Sequence, residues 1–281
     1  MRRGSAVSIA AAAVVAAAAI IGVCFRPVAA ERTELLLYCG AGIRPAASAL
    51  IEAFEAGRAV RIVATYEGSG QLLGKISAGA RGDLFMPGAE MYVDKAIELG
   101  LARAETKRVA GFFVPVLFVQ KGNPKGIVSL NDLTRDGVRV GLGDERSAAV
   151  GQTALEILRK NGIAWEEVRR NVVYRSGTVN ELGVAVQMGT VDAAILWDAN
   201  ARQFAGHGEM IPIPGRQNVV STIPIVVLDA SGRPAEARGF TEFVTSEEGR
   251  RILASHGFTV SPPEAPEIPR PAQQEDRTLR R

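Results

Sequence analysis

Histidine and cysteine are nearly missing from this chain, with two of each in 281 residues. His207 and His256 stand far apart with no Cys/His spacing around them, which excludes a zinc-type centre and leaves little for general-base chemistry. Of the cysteines, Cys24 lies in an N-terminal apolar run and only Cys39 belongs to the body, so the fold does not depend on an internal disulfide. Lys and Arg are scattered and net charge is only +3, which is no nucleic-acid footprint. The P-loop pattern with its lysine is absent. What is present is ordinary globular material, 47% hydrophobic and 22% charged, in a length that accommodates two lobes with real cores.

The two ends stand apart from the fold. Arg2 and Arg3 precede an apolar run from Ala6 to Val23, broken only by Ser8, and Val28-Ala29-Ala30 offers small residues for cleavage, so residues 1–30 read as a signal peptide. Two alternatives stay open: the run is long enough to remain as a membrane anchor, or Cys24 carries a lipid. Either way the body is exported. Residues 261–281 are rich in proline and charge with no apolar period, a disordered tail by composition.

Between these ends strands alternate with helices, the pattern of an α/β fold. Glu34–Cys39 is a continuous apolar strand, as in a sheet covered on both faces. It runs into the turn Gly40-Ala41-Gly42-Ile43-Arg44-Pro45, with Pro45 placed to start a helix. Val60–Thr65 is the next strand, followed by Tyr66-Glu67-Gly68-Ser69-Gly70-Gln71-Leu72, a glycine-rich turn opening a helix. A third such turn spans Gly143–Gly151, with its helix from Thr153 to Asn161. The fourth is Thr178-Val179-Asn180-Glu181, a capping-box pattern. The strand-like run Gly111–Val119 carries Pro115, and Thr222–Leu228 carries Pro224; a proline inside a strand suits a chain passing from one sheet to another. The domain reading is therefore 31–113 as the first part of lobe 1, 114–222 as lobe 2, and 223–260 as the return to lobe 1, with a ligand cleft between lobes joined by two crossover strands.

A helix start has backbone N–H groups without intrahelical partners and a positive dipole end. Four such turns, two from each lobe, suit a small anion held by neutral donors. Ser69 and Thr178 add hydroxyls. Arg44 and Arg146 are the only cations at these loops, and their ordinary reading is solvated or loop-bracing. Asp144 and Asp198 likewise read first as caps or loop charges. Cys39 reads as a buried small residue; as a nucleophile it lacks a neighbouring base.

At Tyr38–Pro45, Gly82-Asp83-Leu84-Phe85-Met86-Pro87-Gly88 and Ile195-Leu196-Trp197-Asp198-Ala199 the sequence resembles the molybdate/tungstate-binding periplasmic receptors of ABC importers, from about Leu35 to Phe258. The resemblance implies a type II periplasmic-binding-protein fold that closes on a tetrahedral dianion, performs no catalysis, needs no cofactor or free metal cation, and works as a monomer with a membrane permease. It implies binding positions at Ala41, Gly42, Ser69, Gly70, Val150, Val179 and Trp197. Gly42 stands where relatives carry a serine, and Trp197 where they carry a tyrosine. Some relatives add two carboxylates to the bound metal's coordination, and here only Asp144 and Asp198 are near enough in sequence to do so. Two other functions stay open: a receptor for another small anion such as sulfate, phosphate or a small carboxylate, and an anchored extracytoplasmic sensor domain.

Overall fold

The computed structural model describes residues 32–263. The N-terminal apolar run, Cys24 and nearly all of the proline-rich tail lie outside them. Among the described residues no helix is long and apolar enough to cross a membrane.

Two five-stranded mixed sheets, each covered by helices, form two lobes. The first sheet contains β1 (Thr33–Gly40), β2 (Val60–Glu67), β3 (Leu84–Met86), β4 (Arg108–Phe113) and β10 (Ser221–Val227), in the order β2-β1-β3-β10-β4. β1 pairs parallel to β3, with Leu37 opposite Leu84 and Cys39 opposite Met86, while β10 runs antiparallel to both its neighbours. The second sheet contains β5 (Pro115–Gln120), β6 (Val140–Gly143), β7 (Val172–Ser176), β8 (Ala193–Trp197) and β9 (Gly208–Pro212), in the order β7-β6-β8-β5-β9. Leu37, Leu84, Phe85 and Ile195 are fully or almost fully buried, as expected for strands covered on both faces.

The two prolines act differently. Pro115 begins β5, and Val114 alone separates it from β4 in the other sheet, so here the chain does change lobes. The expectation that the strand carrying Pro224 also crosses is corrected: β10 lies wholly in the first sheet, and the return runs through residues 213–220. Pro224 falls at a register shift against β4, where a missing N–H is tolerated.

The helices facing the interlobe space are α1 (Arg44–Glu55), preceded by a 3-10 turn at Ala41–Ile43, α2 (Ser69–Ser77), α4 (Ala149–Lys160) and α6 (Val179–Gln187). The remaining helices are α3 (Glu90–Glu98), α5 (Trp165–Arg169), α7 (Asp198–Gln203), α8 (Pro234–Thr245) and α9 (Glu247–Ser255). α4 starts four residues earlier than the sequence suggests. Gly151, which reads as a loop residue, lies in its first turn, packed so close to β6 that a Cβ there would collide with the Gly143 carbonyl. The short elements α5, α7 and β9 carry too little periodicity to be read in advance.

Candidate functional site

All four glycine-rich turns reach one cavity between the lobes. The first lobe contributes Gly40–Ile43, Glu67–Ser69, Gly88 and Phe113; the second contributes Ala148–Val150, Gly177–Val179 and Trp197. The cavity is small, about 20 Å³, and takes one compact solute at most. Among the described residues no lysine, arginine or histidine lines it.

The chemistry of the cavity comes from what the helix starts lack. The 3-10 turn at Ala41–Ile43 and helices α2, α4 and α6 begin without a hydrogen bond from the side chain of the capping residue, and among the described residues the N–H groups of Ala41, Gly42, Ser69, Val150 and Val179 have no backbone or capping partner. At α2 the capping position is Gly68, which has no side chain to offer, and at α4 it is Ala148. At α6 the anticipated capping box closes on itself instead. Thr178 Oγ1 donates to Glu181 Oε1 at 3.0 Å, and the Gly177 N–H donates to Glu181 Oε2 at 3.2 Å. The hydroxyl of Thr178 is thereby committed, and the amides of the first turn are not.

Ser69 brings a hydroxyl to the cavity. It is 3% exposed, and its Oγ accepts from the Gly88 N–H at 3.0 Å, so its own proton is free to point elsewhere. The Gly88 carbonyl accepts from Ser221 Oγ at 2.9 Å, which fixes both faces of that glycine. Glu67 also borders the cavity, but its carboxylate is paired with Lys75.

Of the residues singled out from sequence, Ala41, Gly42, Ser69, Val150, Val179 and Trp197 line the cavity. Gly70 does not, which corrects its placement among the ligand donors. Its N–H donates across the lobes to Ser147 O at 2.9 Å, and a Cβ on it would collide with Arg146 O. A Cβ on Gly68 would likewise collide with the carbonyls of Ser147 and Gly177. These two glycines therefore let the lobes meet. Trp197, 2% exposed, stacks on Phe113 with centroids 4.8 Å apart and planes at 12°, and Phe113 also packs against Phe258. Phe113 was not singled out in advance, since one phenylalanine at a strand end carries no local signal.

The charged candidates lie elsewhere. Asp144 is absent from the lining; its Oδ1 accepts from the Arg146 and Ser147 N–H groups at 3.0 and 3.2 Å and from Ser147 Oγ. Burial pushes its carboxyl up, but those hydrogen bonds and the charges of Arg146 and Arg175 outweigh it, leaving a value below the ordinary one. Asp198 is also absent from the lining. Its Oδ1 accepts from the Val114 N–H at 3.3 Å, and burial holds its carboxyl above the ordinary value. Arg44 lies over the Tyr66 ring at 4.7 Å, and the Arg146 side chain is 87% exposed. Cys39 is fully buried, and burial raises its thiol far above the ordinary value, so the reactive thiolate is suppressed.

The sequence pattern of the family described as bacterial extracellular solute-binding protein matches residues 35–259. The molybdate-binding protein ModA of Mycobacterium tuberculosis is 29% identical over 226 residues, covering 80% of this chain and 84% of that one. Among solved structures, the sulfate-binding protein SubI of Mycobacterium tuberculosis superposes with a TM-score of 0.74 at 23% identity, covering 82% of this chain and 88% of that one. The periplasmic molybdate-binding protein of Azotobacter vinelandii gives 0.68 at 17% identity, covering 81% and 99%. At these identities the structural likenesses establish the fold, the two-lobed type II periplasmic-binding arrangement.

Proposed function

The chain belongs to the bacterial extracellular solute-binding protein family, and from that premise we propose that it captures a tetrahedral oxyanion, molybdate or tungstate foremost, and delivers it as a monomer to a membrane ABC importer. As a member of that family it binds solute rather than transforming it. The observation that carries the ligand reading is the convergence of four uncapped helical starts, the first of them the 3-10 turn at Ala41–Ile43, and one free hydroxyl on a cavity lined by no cation among the described residues. A dianion is then held by N–H and O–H donors, each strengthened by the charge it receives, and by four positive dipole ends. Molybdate-binding relatives at 29% identity support the choice of anion.

Hydrogen phosphate brings a donor that needs an acceptor; Glu67, which borders the cavity, pairs with Lys75 through Oε1 and keeps Oε2 for that role, so phosphate stands among the competitors to be titrated. Sulfate shares the charge and shape of molybdate and is the second reading, supported by the sulfate-binding structural neighbour. Calorimetric titration of residues 31–260 with molybdate, tungstate, sulfate and phosphate at matched ionic strength tests this. One-to-one binding of molybdate or tungstate, with sulfate roughly a hundredfold weaker, supports the proposal; that ratio corresponds to about 2.7 kcal/mol. Preference for sulfate moves the assignment to the second reading, and no binding of any of the four removes the oxyanion proposal.

A further inference from the structure

Asn200, on α7 of the second lobe, is 0% exposed and lies outside the residues that line the cavity. Its Nδ2 donates to the Gly42 carbonyl at 2.9 Å, across the lobes and 158 residues away in sequence. That carbonyl can only accept, so the amide nitrogen must face it, and the orientation of the side chain is thereby determined. Its Oδ1 is buried and has no hydrogen-bond partner among the described residues. On the other side of the contact, a Cβ added to Gly42 would stand 2.8 Å from Val179 Cγ1 and 3.0 Å from Asn200 Oδ1. The missing side chain of Gly42 and the presence of Asn200 are thus two halves of one fit.

We propose that Asn200 is a positioning residue, the latch that couples the Ala41–Ile43 turn of the cavity to closure of the lobes. Its hydrogen bond crosses the gap that opening must widen, and it holds the carbonyl of a residue whose backbone faces the ligand. One such bond is a modest contribution, raised where its loss leaves the buried Gly42 carbonyl unpaired, so it favours the closed form and bound ligand supplies the rest. The inference rests on the proposed capture of an anion between the lobes, but not on which anion.

The test places spin labels at Glu52→Cys in α1 and Glu167→Cys in α5, both exposed positions, in a Cys24→Ser background, while native Cys39 is buried. Interlobe distances are read by double electron–electron resonance, with and without molybdate, in otherwise wild-type protein, Asn200→Ala, Asn200→Asp and Gly42→Ala. Loss of the latch is expected to lower the closed fraction and to weaken molybdate about five- to tenfold, mainly through faster release. Asn200→Asp, isosteric but turning an oxygen toward the Gly42 carbonyl, opens the lobes further than Asn200→Ala. Adding Asn200→Ala to Gly42→Ala costs little more than Gly42→Ala alone, because both break the same fit. A merely structural role would lower the melting temperature without moving the distance distribution. An unchanged closed fraction in both Asn200 variants, additive effects, or a wild-type protein with no closed population in either condition overturns the proposal. If molybdate neither binds nor shifts the wild-type distances while the Asn200 variants still open the lobes, the oxyanion reading fails and the latch stands.

Discussion

Helix α9 and the helices around the cavity begin in opposite ways. α9 starts at Ser246, whose Oγ accepts from the Gly249 N–H at 3.2 Å, and it carries Glu247 and Glu248 in its first turn. Its dipole and its first donors are satisfied from within the helix. α2 and α4 start from Gly68 and Ala148 with no acidic residue in the first turn, and they point at the interlobe space. The difference teaches where stability has been left unused. An uncapped helix start forgoes about 1 kcal/mol, and several of them aimed at one point form the site for which an anion is proposed.

The comparison breaks most visibly at the glycines that let the lobes meet. Gly70→Ala is expected to weaken anion binding roughly a hundredfold or more, because the new methyl overlaps Arg146 O in the closed form. The ligand-free protein is expected to be no less stable, since alanine is the better residue inside α2. Calorimetry and thermal melting of the same variant separate the two effects.

Ser69→Ala removes the one free hydroxyl. A hydrogen bond to a charged partner contributes about 1.5–3 kcal/mol, so affinity is expected to fall about ten- to a hundredfold in the same titration.

Ala148→Ser sharpens the contrast directly by giving α4 the cap that α9 already has. The backbone at Ala148, φ −110° and ψ 127°, is suited to a capping residue. Ligand-free stability is expected to rise by about 0.5–1 kcal/mol in denaturant unfolding, while anion affinity falls severalfold because the hydroxyl competes for the same N–H. Ser246→Ala is the control, costing about 1 kcal/mol of stability with affinity unchanged.

The smallest effects concern the two aspartates outside the cavity, and their signs are opposite. The folded-state value of Asp144 is depressed, so its contribution to stability is present above its ordinary value of 3.8 and is lost as pH falls below that. The folded-state value of Asp198 is raised, so stability is greater when it is protonated and declines as pH rises above 3.8 through the folded value. At pH 7 Asp144→Asn is expected to lower the melting temperature and Asp198→Asn to raise it. Both differences shrink in melts run at progressively more acid pH. Matching signs would show that one of the two carboxylates does not have the surroundings seen in the structure.

Much of the fold was legible because its signals are local. The apolar run of β1, the proline that opens β5 and the glycine-rich turns each announce themselves within a few residues. Gly70 shows the limit of such reading. Its position in a turn marks a close approach of backbone, but the partner it approaches, Ser147 in the other lobe, is set by how the sheets face each other. Pro224 misled for the same reason, since a proline that breaks a ladder looks alike whether the chain changes sheet or bulges within one.

The amino-acid order by itself determined that this is an α/β chain with four glycine-rich helix starts and no catalytic constellation. Propensity, periodicity and the scarcity of histidine and cysteine act residue by residue, and no neighbour in space is needed to apply them. Only the tertiary structure decided that the four starts meet at one cavity, that Asp144 and Asp198 are excluded from it, and that Phe113 and Asn200 belong beside it. Those relations join residues tens to more than a hundred positions apart, and packing of the two sheets brings them together.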